Sequence, residues 1–84
     1  MKFTVIWQAD AERELTELWL GARDRLRITE TVEEIDADLH TNPEQLGESR
    51  EDSHRILFRP PLGVVFRVFP EDVRVVVTRV WRYQ

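Results

Sequence analysis

The 84-residue sequence predicts a single α+β domain in the order β-α-α-β-β-β, a helical hairpin packed on one face of a mainly antiparallel sheet. Three observations predict it. Phe3, Val5 and Trp7 alternate with polar neighbours. Apolar residues then recur at spacings of three and four as far as Leu39. From His54 onward, three apolar runs are separated by short proline-bearing turns.

The opening alternation gives a strand with one buried face. Asp10 stands where an N-cap would, and Glu12 and Glu14 suit the positive end of a helix. Ala11, Leu15, Leu18, Trp19 and Ala22 make residues 10–21 an amphipathic helix closed by Gly21. Asp24 is expected to cap a second helix. Its apolar stripe is Ile28, Val32, Ile35 and Leu39, with Glu30, Glu33, Glu34, Asp36 and Asp38 mostly opposite. Asn42-Pro43 stops that helix, because the residue before proline avoids helical geometry. So short a link between the helices makes them an antiparallel hairpin. Residues 44–53 read as a polar connection. Strands are expected over 54–59, 64–69 and 73–83, with turns at Pro60-Pro61-Leu62-Gly63 and Pro70-Glu71-Asp72, forming an antiparallel meander.

Composition narrows the chemistry. There is no cysteine, which excludes disulfides, thiolate metal sites and cysteine nucleophiles and fits a reducing compartment. The N-terminal stretch lacks the apolar core of a signal peptide, and no apolar run is long enough to span a bilayer, so a cytoplasmic location is expected. Charge is divided unevenly. Residues 1–52 hold 14 acids and 6 bases, a balance of −8; residues 53–84 hold six arginines against Glu71 and Asp72, a balance of +4. A basic β half points to an anionic partner met locally, since the formal net charge of −4 disfavours indiscriminate binding of nucleic acid.

Alternation assigns the faces of the meander. Ile56 and Phe58, then Val64, Phe66 and Val68, then Val73, Val75, Val77 and Trp81 form the set expected to face the helices. That leaves Arg55, Arg59, Arg67, Arg74 and Arg82 on the open face, interleaved with Leu57, Val65, Val76 and Val80. Arg79 falls on the core side and is expected to snorkel to the sheet edge. Such a face can hold anions bidentately while packing against a peptide or bases. It also fits a plain solvated sheet face, on which arginine is the polar residue and blunts edges.

Certain stretches resemble the RelE/ParE toxin superfamily, the toxic partners in bacterial type II toxin–antitoxin pairs. They are Val5-Ile6-Trp7 with Ala11 and Leu15-x-x-Leu18-Trp19; Ile35-Asp36-Ala37-Asp38-Leu39 before Asn42-Pro43 and Gly47; Arg55-Ile56-Leu57; residues 62–68; and Val77-x-x-Val80-Trp81-Arg82. The resemblance covers nearly the whole chain and makes residues 1–84 one such domain. It implies an antitoxin partner, no cofactor and no metal, and either of two targets. ParE-like members bind DNA gyrase. RelE-like members cut messenger RNA on the ribosome, with a basic cluster on the sheet and a late acid or base. On that pattern Arg55 matches a basic strand residue, Arg82 lies near a late basic residue, and Tyr83 is the nearest candidate for the acid or base. Gly63 or Val64 stands where such members usually carry arginine.

Cleavage by a ribose 2′-hydroxyl needs a base, an acid and charge stabilisation, and only the last is well supplied here. The expectation is therefore a toxin that acts by binding its target and is neutralised by an antitoxin. A messenger RNA endonuclease using Arg55, Arg82 and Tyr83 is the alternative, and a non-toxic interaction domain of the same fold is a third. His54 could carry a proton beside Arg55, although a plain surface histidine accounts for it equally. His40 suits a helix C-terminus. The two histidines are too isolated for a metal site, and no glycine-rich phosphate loop or Ser/His/Asp set can be assembled.

Overall fold

A computed structural model describes residues 2–84. The chain forms strand β1 (Thr4–Trp7), helices α1 (Ala9–Gly21) and α2 (Arg25–Thr41), a two-residue strand β2 (Glu48–Ser49), and strands β3 (His54–Arg59), β4 (Leu62–Phe69) and β5 (Arg74–Arg82). The sheet order is β1-β5-β4-β3-β2, with β1 parallel to β5 and every other pair antiparallel. The helices and the order of the meander follow the sequence pattern, except that β4 begins at Leu62, so that Leu62 and Gly63, expected in the turn, pair with Arg59 and Phe58. The polar connection differs as well, because Glu48 and Ser49 pair with Ile56 and Arg55 as a fifth, marginal strand.

Both helix starts also differ from expectation. Gln8, not Asp10, occupies the N-cap of α1, and Asp10 sits in the first turn with Arg13 3.1 Å away. Asp24 does occupy the N-cap of α2 but makes no side-chain cap bond; its carboxylate is committed to Arg82. Arg25 reinforces the end of α1, donating to the carbonyls of Leu20 (2.7 Å) and of Trp19 (3.1 Å), the latter also accepting from the Ala22 amide at 3.2 Å.

The core lies between the hairpin and one sheet face. Ala11, Ile28, Ile35 and Leu39 on the helices meet Leu57, Leu62, Val64, Phe66, Val75, Val77 and Val80 on the sheet. Burying a Val, Leu, Ile or Phe side chain contributes about 1.5–3 kcal/mol. This layer is therefore what holds so small a chain together. Polar bonds fix β1 against α2. Trp7 Nε1 donates to Asp36 Oδ1 at 3.0 Å, and His40 Nδ1 donates to the Phe3 carbonyl at 2.7 Å.

Two register features decide which side chains face the helices. In β3, Leu57 lies opposite Val64 and is buried, so Phe58 turns outward and is 51% exposed. In β5, the pairing with β4 slips between Val65 and Phe66, which leaves Thr78 as an extra residue. A bulge of this kind shifts the alternation by one. Val75 and Val77 are buried before it and Val80 after it, so Trp81 lies on the open face.

Candidate functional site

The expected five-arginine face does not form. Register places Arg55 opposite Phe66 and Arg59 opposite Leu62, on the helix side with Leu57. The β5 bulge brings Arg82 to the same side, opposite Leu62. Each of the three is engaged within the molecule. Arg55 donates from Nε to the Leu46 carbonyl at 2.8 Å and from Nη2 to the Gly47 carbonyl at 3.3 Å. Arg59 donates to Asp38 Oδ2 of α2 at 2.7 Å. Arg82 grips Asp24 with both terminal nitrogens, at 2.7 and 2.9 Å. That bidentate pair holds the Asp24 carboxyl below the usual carboxylate range and raises the Arg82 guanidinium. Arg79, at the bulge, is exposed and bonded to Glu14 Oε2 of α1 at 3.0 Å, while Glu14 Oε1 accepts the Val80 amide at 3.1 Å.

Arg67 and Arg74 are the two members of the set that reach the open face. Their guanidinium carbons lie 5.2 and 5.1 Å from the centroid of the same ring, Phe69. Both Nε atoms are buried and have no hydrogen-bond partner. The carboxylate near Arg74 is Asp72, at 3.9 Å, beyond hydrogen-bond distance. The turn over Pro70–Asp72 brings Arg74 back opposite Phe69, and the ring lies near both cations. Two guanidinium groups share one aromatic ring, and an oxyanion from outside would meet their terminal nitrogens, since both Nε atoms are buried.

The rest of the open face is apolar. Ile56 and Val65 are register partners, and Val76 and Ile6 continue across to β1. At the far end Phe58 packs edge-on against Trp81 (5.9 Å) and Tyr83 (5.2 Å). Gly63 makes room for the Trp81 ring, since a Cβ there would lie 2.6 Å from it. His54 pairs in register with Arg67, with Nδ1 3.3 Å from the Glu51 carbonyl.

The proposed cleavage trio is therefore not assembled. Arg55 and Arg82 point to the helix side, opposite Phe66 and Leu62 of β4, roughly 13 Å apart along the strand at about 3.3 Å per residue. Tyr83 belongs to the open-face aromatic cluster. Sequence reasoning did not count Phe69 in the site and placed Phe58 on the core side, whereas Phe58 is 51% exposed on the open face. The Arg67-x-Phe69 spacing would have signalled the first, because both residues share a face of β4.

A second concave surface lies between the helices, a groove of ≈ 260 Å³ walled by Leu15, Trp19, Ile28 and Val32. Trp19 Nε1 donates to Thr29 Oγ1 at 3.1 Å, and the Arg25 guanidinium covers the Trp19 ring at 4.7 Å. No cluster of His, Asp and Glu able to hold a metal occurs among the described residues. No described helix is long and apolar enough to cross a membrane.

No protein-family model matches the chain, and no curated protein sequence does. Solved structures do match. A chain of the RelBE2 toxin–antitoxin complex from Mycobacterium tuberculosis superimposes with a TM-score of 0.79 at 24% identity, covering 98% of this chain and 92% of that one. A chain of the chromosomal ParDE system from P. aeruginosa gives 0.74 at 19% identity, over 99% and 98%. The isolated E. coli RelE toxin gives 0.57 at 17% identity, over 98% and 85%. From end to end, the chain has the fold found in these RelE and ParE toxin–antitoxin structures.

Proposed function

We propose that the chain is the toxin of a type II toxin–antitoxin pair, acting by binding its target in the bacterial cytoplasm and neutralised by an antitoxin. The observation that carries this reading is the end-to-end likeness to chains of two toxin–antitoxin systems. Binding rather than cleavage is favoured by the fate of the arginines. Arg55 and Arg82 are tied to internal acceptors, which leaves charge stabilisation to Arg67 and Arg74. His54 is the register partner of Arg67, while Tyr83 belongs to the aromatic cluster at the far end of the face, so an acid and a base are not gathered together beside the cations. A ParE-like action on DNA gyrase, and a role in plasmid stabilisation, follow from that preference.

The test is growth after induced expression in a bacterial host, with and without the neighbouring reading frame. Growth arrest relieved by the neighbour supports the reading; normal growth and no copurifying partner overturn it. The RelE-like reading keeps two supports, Tyr83, which is 40% exposed, and His54 beside Arg67. Incubation with translating ribosomes decides it, and intact transcripts eliminate cleavage.

A further inference from the structure

We propose that the tip of the helical hairpin, residues 20–27, is the surface that meets the target, and that this target is a protein surface with acids set beside an apolar hollow. The assignment rests on the toxin reading and concerns the helical layer, not the sheet.

The tip differs from the rest of the hairpin. Helix α1 ends in Trp19-Leu20-Gly21, Ala22-Arg23-Asp24 is the link, and α2 begins Arg25-Leu26-Arg27. Three of the six bases in residues 1–52 fall within positions 23–27. Leu20 is 58% exposed and Leu26 72%, more than any other large apolar side chain among the described residues. Single exposed leucines are ordinary; two of them flanking one short link, among cations, form a patch.

Folding does not account for all of these cations. Arg25 has an internal role, bonded to the Trp19 and Leu20 carbonyls and lying over the Trp19 ring. Arg23 and Arg27 are exposed and have no carboxylate within hydrogen-bond distance among the described residues. Asp24, the acid between them, gives both its oxygens to Arg82. Arg27 also stands in the first turn of a helix that has no acid there, where a cation opposes the helix dipole. Local choices that work against the fold are expected where a side chain serves an external contact.

Charge and shape then select the kind of partner. Between residues 17 and 30, Glu17, Asp24 and Glu30 balance Arg23, Arg25 and Arg27. A phosphate backbone or a flat anionic bilayer therefore meets no net positive charge at this end of the molecule. A two-fold contact between copies would set the same arginines against each other. A protein surface can instead place acids opposite Arg23 and Arg27 one by one and receive Leu20 and Leu26 in a hollow.

The test is growth arrest by the full chain, expressed from a titratable promoter with protein levels read by immunoblot. Arg23→Gln/Arg27→Gln and Leu20→Gln/Leu26→Gln should each need at least about tenfold more protein than wild type for the same arrest. Arg23→Glu/Arg27→Glu, which sets like charges against the target's acids, should lose arrest altogether. Arg13→Gln, elsewhere on α1, should change the requirement by less than about twofold. Circular dichroism melts and copurification of the neighbouring frame's product should stay as in wild type, which separates a lost target contact from lost folding. Leu26→Gln alone should weaken arrest in the same direction and keeps the result readable if a double variant does not fold.

Wild-type arrest by the leucine variant would mean a nucleic acid partner, and by the arginine variant an uncharged one; either overturns the proposal. So does loss of the copurifying neighbour together with arrest, which would give the tip to the antitoxin, or pelleting of wild type with phosphatidylglycerol vesicles. If wild type does not arrest growth, the toxin reading fails and takes this assignment with it. Equal arrest by wild type and every tip variant sinks the assignment alone.

Discussion

On the helix side of the sheet, Arg59 and Arg82 end on the carboxylates of Asp38 and Asp24; on the open side, Arg67 and Arg74 end on the Phe69 ring. All four come from the same arginine-rich half of the chain. The first pair joins strands to the helical layer, and its charge is neutralised internally. The second pair makes no hydrogen bond to a carboxylate; Arg74 has only Asp72 at 3.9 Å, and no carboxylate pairs with Arg67. Charge segregation along a sequence therefore does not by itself define a binding surface. What matters is which cations lack an internal acceptor, and pairing register decides that.

The largest test of this contrast is the face assignment in β3. Leu57→Ala removes a buried side chain and should cost about 2–4 kcal/mol. Phe58→Ala, next in sequence but 51% exposed, should cost about 1 kcal/mol or less. Chemical denaturation of both variants checks this, and the reverse order would move Arg55 and Arg59 back to the open face. Gly63→Ala should follow in size, at about 1–3 kcal/mol, because its Cβ must displace the Trp81 ring. A shift in tryptophan emission should accompany that loss, and unchanged emission would mean that Trp81 does not lie over Gly63.

A smaller effect separates the two arginine pairs directly. Arg59→Met strips Asp38 of its partner and should cost about 1 kcal/mol, since the pair is partly exposed. Arg67→Met removes a buried donor without an acceptor and should be neutral or slightly stabilising. Equal losses in the two variants would show that Arg67 has an internal partner after all, and would remove the reason to seek an external one.

How much of this the sequence shows depends on how one-sided each segment is. In β4, Val64, Phe66 and Val68 share one face and Arg67 and Phe69 the other, so both the core row and half of the candidate site are readable. Residues 54–59 carry apolar side chains on both faces. Counting Ile56 and Phe58 against Leu57 favours the wrong one, and only the pairing of Leu57 with Val64 resolves it. The bulge in β5 leaves no mark in Val-Val-Thr-Arg-Val, yet it exchanges the faces of Val80, Trp81 and Arg82. Strand β2 is two polar residues long and exists only through its partner. Asp24 was legible as a helix start, but its carboxylate is claimed by a residue 58 positions away.

The smallest expected effect concerns that last pair and has a definite sign. The hydrogen bonds from Arg82 outweigh burial and hold Asp24 below the ordinary carboxylate range. In the unfolded chain Asp24 takes up its proton at the ordinary value, so between the two the unfolded state binds more protons and stability rises with pH. The contribution is fully present above the ordinary range and is lost as pH falls through the lower, folded value. Wild type and Asp24→Asn should therefore differ at neutral pH and converge in acid, because the other carboxylates are common to both. Side chains 38% and 34% exposed make the effect modest and weaker in salt. The difference between wild type and Arg67→Gln should stay flat over the same range, since no carboxylate is bonded to Arg67. A gap between wild type and Asp24→Asn that stays constant or widens in acid would show the Arg82–Asp24 clamp to be absent in solution, and would return Arg82 to the cations free to meet a partner.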